Sequence, residues 1–412
     1  ALKYARGGLL ADREFVLEAM KHTWDGEAFA YADRALKIDK DFVLQAVKAN
    51  GWALMYADKT LRADREVVLE AVKSCESAFK YANDTLRADR QIVLEAMNHH
   101  YWSFEYADAA LKRDKDFVLQ AIKKSGGLAF EFADDGLKRD KDFVTQVVRS
   151  HGFNLRWAAD ELKGNREVVL EAVRKHGRAL EYASDTLKAE KDVVLEAVKS
   201  QGSALEHAAD DLKGNREVVL EAVQKHGRAL EYASDTLKAE KDVVLEAVKS
   251  QGSALEHAAD DLKGNREVVF EAVKEDGYAL EDAADDLKGD REVVLEAVRE
   301  DGRALKFAAA TVKADKSVVL EARKQVLEQH MRDLEEHFEE TMIDEKQREE
   351  LGIVKARLQQ VNAEIEQVQA EEGTDEASPD TEDENPDNMD VPQEELSVAR
   401  TEFEWRDADE GV

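Results

Sequence analysis

The chain has 412 residues, of which 43% are hydrophobic and 36% charged, with 91 acids against 59 bases and a formal net charge of −32. That balance disfavours nucleic acid and anionic membrane surfaces and points instead to other proteins, basic ones above all. The single cysteine, Cys75, excludes an intramolecular disulfide framework and fits an intracellular, cytoplasmic setting, and no apolar run reaches the roughly 18 residues of a membrane span.

Ala1 falls inside a repeat, so the chain reads as a fragment or processed form. An alanine, most often preceded by an aromatic, recurs at 5, 32, 57, 82, 107, 133, 158, 183, 208, 233, 258, 283 and 308. The spacing is 25 except for 27 at the first step and 26 at the fifth. Gly26 and Gly126-Gly127 sit at those two longer steps, where a loop would absorb the extra residues.

One unit runs from Gly177 to Gln201. Its first half places Ala179, Leu180, Tyr182, Ala183 and Leu187 within an arc of about 160° at helical pitch, which predicts an amphipathic helix. The second half spreads Val193, Val194, Leu195, Ala197 and Val198 over about 200°, as suits a helix packed on more than one side. Nothing alternates with period two, so strands are not expected.

The punctuation agrees with this reading. Asp, Asn or Glu stands before the second helix in every unit, as at Asp64, Asn165 and Glu190, and can cap its first turn. An acid follows two positions later in most units, as at Glu66, Asp116 and Glu167, at the positive end of the helix dipole. Gly closes most second helices, for example Gly51, Gly152, Gly202 and Gly302, with Glu76 and Tyr101 as exceptions. Those glycines are expected to take the left-handed conformation that ends helices.

Helices this short are marginal alone, because nucleation is costly below roughly 12–15 residues. Stacking neighbours supplies the missing cover, so stability comes from nearest-neighbour interfaces. The predicted fold is all-α: an α-solenoid of about thirteen 25-residue two-helix repeats over residues 1–317, on the order of 100 Å long at ordinary interhelical spacing. Residues 164–213 and 214–263 differ only at Arg174 against Gln224, a duplication that a stack tolerates and a catalytic centre assembled across it would not.

The recurring pattern Gly-x-Ala-Leu-x-Tyr-Ala-x-x-x-Leu-Lys, followed by the capped Val-Val-Leu-Glu-Ala-Val helix, resembles the helical repeat family known as domain of unknown function 4116. The resemblance covers residues 1 to about 322. It implies an array architecture and carries no reaction, cofactor or catalytic residue to transfer.

Beyond the repeats, residues 318–370 read as a helix pair. The first helix carries Leu327, Met331, Leu334 and Phe338 on one stripe; the second carries Leu351, Val354, Leu358, Val361, Ile365 and Val368 at heptad spacing. The pair would either cap the open end of the stack or form a coiled coil with another chain. Residues 371–395 hold twelve acids, no base and all three prolines, the composition of a disordered linker. Residues 396–412 place Leu396, Val398, Phe403 and Trp405 among acids, as in a short docking helix.

No constellation carries catalysis. His207 and His257 occupy the position of Tyr182 and read as packing variants; His330 and His337 lie too far apart on one helix to share a metal. Phosphate-binding glycine loops and a nucleophile turn are absent from the sequence, and Cys75 has an acid, Glu76, beside it. The expectation is therefore no enzyme, no cofactor and no metal. What recurs is charge: a base after the unit's Leu, as at Lys188, another after each cap, as at Lys191, and Asp at 160, 185, 210, 235, 260 and 285, read as ending the first helix. These columns form either a self-neutralising surface or a docking face. Trp52, Trp102 and Phe153, just after the junctions, are the candidate partner-binding residues of the array, with Phe403 and Trp405 those of the tail.

The function expected from the sequence is a non-enzymatic protein-interaction scaffold that presents an extended charged surface. Two alternatives stand beside it: an acidic chaperone-like binder of basic proteins working through the tail, and the accessory repeat region of a larger enzyme or effector whose catalytic domain lies elsewhere. The oligomeric state is open.

Overall fold

The computed structural model describes residues 7–22, 26–340 and 345–375. Phe403 and Trp405, and the tail from residue 376 onward, lie outside the described residues. Among the described residues there are helices, turns and bends but no strand. Thirteen long helices recur from Arg13–Lys21 to Lys316–Glu340 among the described residues, most packed directly against that of the next unit, and repeated helix pairs pile up in series.

Each long helix exists for the reasons its sequence supplies. In Lys191–Ser200, Val193, Val194, Ala197 and Val198 are fully buried. A fully buried Val contributes roughly 1.5–3 kcal/mol. The cap works where the side chain is short: Asn165 Oδ1 accepts from the Val168 amide at 3.3 Å and Asp140 Oδ1 from Phe143 at 2.9 Å. Glu190 and Glu240 make no such bond. Their extra methylene carries the carboxylate past the first turn, and each meets an arginine of the preceding unit instead, Arg166 and Arg216 at 3.3 Å.

The first half of the unit is not one continuous helix. A 3-10 segment, Gly177–Tyr182, is followed by extended Ala183 (φ −69°, ψ 159°) and then by a single α-turn, Asp185–Lys188. The extended residue turns the next amide toward the previous unit, where Ser184 N–H donates to the Lys163 carbonyl at 2.9 Å. The same bond recurs from Asp33 to Leu10 through Ala309 to Lys288, one at each junction. An unbroken helix would have kept that amide for itself. In consequence Asp160, Asp185 and Asp210 begin the one-turn helix rather than end the first helix.

The junction glycines also differ from expectation. Among the glycines of the described residues, positive φ occurs only at Gly26, Gly126 and Gly127, the two places where a unit is longer than 25. The regular glycines answer to close approach. A Cβ at Gly177 would lie 2.3 Å from the Ala197 carbonyl oxygen, and one at Gly202 the same distance from Ala222. No side chain fits between the 3-10 segment and the end of the unit's own long helix.

Where the larger residues Glu76 and Tyr101 replace Gly, and where Gly126-Gly127 adds a residue, the successive long helices pack less intimately. Phenylalanines fill the wider space in two of these units: Phe104 meets Phe117 and Phe130 meets Phe143, both with ring centroids 6.1 Å apart. In the regular units the same positions hold Leu180 and Val193.

After the last unit the Lys316–Glu340 helix runs on, and Glu345–Asp375 turns back against it. Val354, Val361 and Val368 of the heptad seam are buried, and Val361, Ile365 and Val368 form a small cluster with Leu320 and Leu327. Val361, Ile365 and Val368 of the seam are thus covered within the chain. The second helix continues to Asp375, five residues into the stretch read as linker. The Phe338 side chain lies outside the described residues.

Candidate interaction surfaces

Two charge columns are consumed inside the stack. The base that follows each cap reaches the next unit: Arg13 to Asp39 at 2.5 Å, Lys40 to Asp64 and Glu66 at 2.9 Å, Lys191 to Glu217 at 2.6 Å and Arg291 to Asp315 at 2.9 Å. Arg216 bridges Glu240 and Asp242 in the same way. The lysine after the unit's Leu folds back on its own unit: Lys37, Lys138 and Lys313 donate to the carbonyls of Ala30, Glu131 and Lys306, each at 2.6 Å. Burial holds Lys37 and Lys112 below the ordinary lysine range. The structure therefore favours the self-neutralising reading for the column that follows the caps. Exposed pairs of this kind are worth about 0–1 kcal/mol each.

The acid column remains open to solvent. Asp160 and Asp210 have side chains 95% and 101% exposed, each with only a lysine of its own turn nearby, at 3.1 and 3.8 Å.

An aromatic ridge runs along the 3-10 segments. In several units the residue five before the anchor alanine packs on the residues one and two before the anchor in the next. Trp52 lies 6.0 Å from the Tyr81 ring with Lys80 Nζ 4.6 Å above it, so this predicted residue is half-buried and already partnered. Trp102 packs edge-on against Phe132 at 5.3 Å yet stays 38% exposed. Phe153 stacks on His176 at 4.8 Å and stays 42% exposed. Between them stands Leu128, 39% exposed, which the sequence reading missed. The extra residue at Gly126-Gly127 hides its register; counting back from Ala133 recovers it.

Trp102, Leu128 and Phe153 therefore form an apolar strip over three successive units. In several later units the same ridge is polar: Arg178 pairs with Glu206 at 2.9 Å and Arg228 with Glu256 at 3.1 Å, while Tyr278 is again aromatic, edge-on against Phe307 at 5.6 Å. Beneath the strip, Ser103 and Asn154 stand where other units carry alanine, and Ser103 Oγ and Asn154 Nδ2 are buried without a hydrogen-bond partner.

The residues tested for chemistry are dispersed. His207 and His257 sit half-buried on the ridge, and burial depresses the pKa of His207. Cys75 packs against the core. Among the described residues no three of His, Cys, Asp and Glu converge as a metal site, and no helix is long and apolar enough to cross a membrane.

A comparison with curated proteins finds no match. The family model for a domain of unknown function (DUF4116) matches residues 12–62, 64–112, 114–163, 165–213, 215–263, 265–313 and 290–322, most of these spans covering two of the 25-residue units. On that coverage, and with the stacked units it corresponds to in the structure, the chain belongs to the DUF4116 family.

Proposed function

We propose that the chain is a non-enzymatic scaffold whose helical array binds other proteins along the ridge of its 3-10 segments. The observation that carries this reading is the strip of Trp102, Leu128 and Phe153, one position of three successive units that stays apolar and more than a third exposed on a largely charged array. Large aromatics with a dry flank and an open flank are the residues that anchor protein interfaces. The charge left over after internal pairing is acidic, as at Asp160 and Asp210, and suits basic partners better than nucleic acid.

The test is site-specific photo-cross-linking in the full chain. A benzophenone side chain at position 128 should give protein adducts that one at Ser203, its counterpart on the polar part of the ridge, does not. Combined Trp102→Ala and Phe153→Ala substitution should abolish them. Equal yields from the two positions, or none from either, would remove the reading.

A further inference from the structure

One end of the apolar strip is held by a single imidazole. His176 stands just past the long helix Arg166–Lys175 and reaches back to the preceding unit. Its Nδ1 accepts the Gly152 N–H at 3.1 Å, and its ring stacks on the next side chain, Phe153, at 4.8 Å with 29° between the planes. One ring therefore fixes two successive residues at the start of the 3-10 segment Gly152–Trp157.

That bond sets the charge state. An Nδ1 that accepts carries no proton, so His176 is neutral with its proton on Nε2. Protonation would place a second N–H opposite the Gly152 N–H. Two donors cannot share that line, and Gly152 cannot retreat: it is buried, and even a Cβ there would collide with the Ala172 carbonyl oxygen and crowd Nδ1. The protonated ring has to turn, and a buried amide is left without its acceptor.

The surroundings also oppose the cation. Burial is the largest cause, and it holds the pKa of His176 below the ordinary 6.5. Lys175 on its own helix and His151 at the end of the preceding long helix act in the same direction. Glu171 and Glu196, carboxylates of the adjoining helices, are taken by Arg149 and Arg174. Arg156 lies over the Trp157 ring, and Arg178 turns to Glu206. Once released, the ring regains the ordinary value, so each proton taken up as the pH falls favours release.

The duplicated block shows what is particular to this place. His226 has the same local sequence as His176, but the segment that it meets begins Gly202-Ser203 and offers no ring to hold.

We propose that His176 is an acid-released latch on the strip of Trp102, Leu128 and Phe153. Neutral, it holds Phe153 in line with the other two. Protonated, it lets go of Gly152, and the strip loses one of its three anchors. This rests on the reading of the strip as a protein-binding surface and adds its regulation: binding at neutral pH, release in mild acid.

The test is NMR on the full chain, 15N-labelled in one sample and carrying 4-fluorophenylalanine at position 153 in another, titrated from pH 7.5 to 5.0. The Gly152 amide and the fluorine resonance should move together, with one midpoint below 6.5 shared by the His176 ring. Across that step Gly152 hydrogen exchange, corrected for its intrinsic pH dependence, should quicken about tenfold, as loss of one ordinary hydrogen bond implies. His176→Gln should flatten both titrations yet keep the amide protected, because a glutamine at this position can accept: Gln251 Oε1 takes the Arg228 N–H at 3.1 Å. His151→Gln should leave both titrations in place, and the Gly202 amide beside His226 should show no such step. A Gly152 amide that stays protected while the His176 ring titrates overturns the proposal. So does a step abolished by His151→Gln rather than by His176→Gln. Cross-linking from position 128 at pH 7.5 and 5.5 is the separate arm. Fewer adducts in acid from the wild type, but not from His176→Gln, support the regulation, and equal yields at the two pH values overturn it. No adducts at either pH sink the scaffold reading itself, with the titration still deciding the latch.

Discussion

Gly227 approaches the Ala247 carbonyl so closely that a Cβ on the glycine would lie 2.3 Å from that oxygen. Neither backbone can retreat without moving the 3-10 segment off its long helix. Gly227→Ala should therefore destabilise the array by about 1–3 kcal/mol, the usual cost of overpacking a tight site. Urea unfolding of the full chain checks this, and a change within error of zero would show that the 3-10 segment shifts easily on its own long helix.

Burial should outweigh surface charge. Arg216 bridges Glu240 and Asp242, but its side chain is 52% exposed. Arg216→Gln should cost under about 1 kcal/mol, and less still in high salt. Val219, fully buried on the same helix, should cost about 2 kcal/mol or more when cut to Ala. Denaturant melts of the two variants side by side test the order; the reverse order would make the ionic rungs the main cement of the stack.

Ser103→Ala should stabilise the protein by about 1 kcal/mol. The hydroxyl is fully buried with no partner, and an orphaned polar group costs roughly 1–3 kcal/mol, while loss of one oxygen leaves little void. Ala fills this position in most units, as at Ala53 and Ala179. The gain should show as a higher urea midpoint with an unchanged slope.

Acid should loosen the ridge before it touches the ionic rungs. Burial lowers the pKa of His207, and of His176, from an ordinary 6.5. The unfolded chain then takes up those protons first, so their contribution is intact above about pH 6.5 and falls as the pH drops through that value toward the folded one. His207→Tyr, the residue of Tyr182 and Tyr232, should reduce the loss of melting temperature between pH 7.5 and 5.5. An identical pH profile in that variant would discount His207.

Asp282 holds the same ridge position with the opposite sign. Burial raises its pKa, so its charged form costs stability above the folded value and protonation returns that stability in acid. Asp282→Tyr should raise the melting temperature at pH 7, by less than about 1 kcal/mol once solvent screening is counted. A lower melting temperature at pH 7 would show that Asp282 has a partner worth more than its desolvation.

Much of this architecture was legible in the residues themselves. The repeat length, the caps at Asp140 and Asn165, and the buried Val-Val…Ala-Val face follow from patterns within one unit, because helix pitch and capping are local. Trp102 and Phe153 were legible as pattern-breaking aromatics, and both prove exposed. Trp52 breaks the same pattern but is half-buried, because Tyr81 and Lys80 of the next unit happen to meet it.

What only the stacked structure decided concerns distances between units. It split the first helix at Ala183 so that Ser184 could bond to Lys163 of the preceding unit. It spent the base column that follows the caps on neighbouring units, and it exposed Leu128. The physical reason is the same in each case. Periodicity along the chain says which face of a unit is apolar, but how near the next backbone comes, and which side chain it brings, is set by the packing of two units against each other.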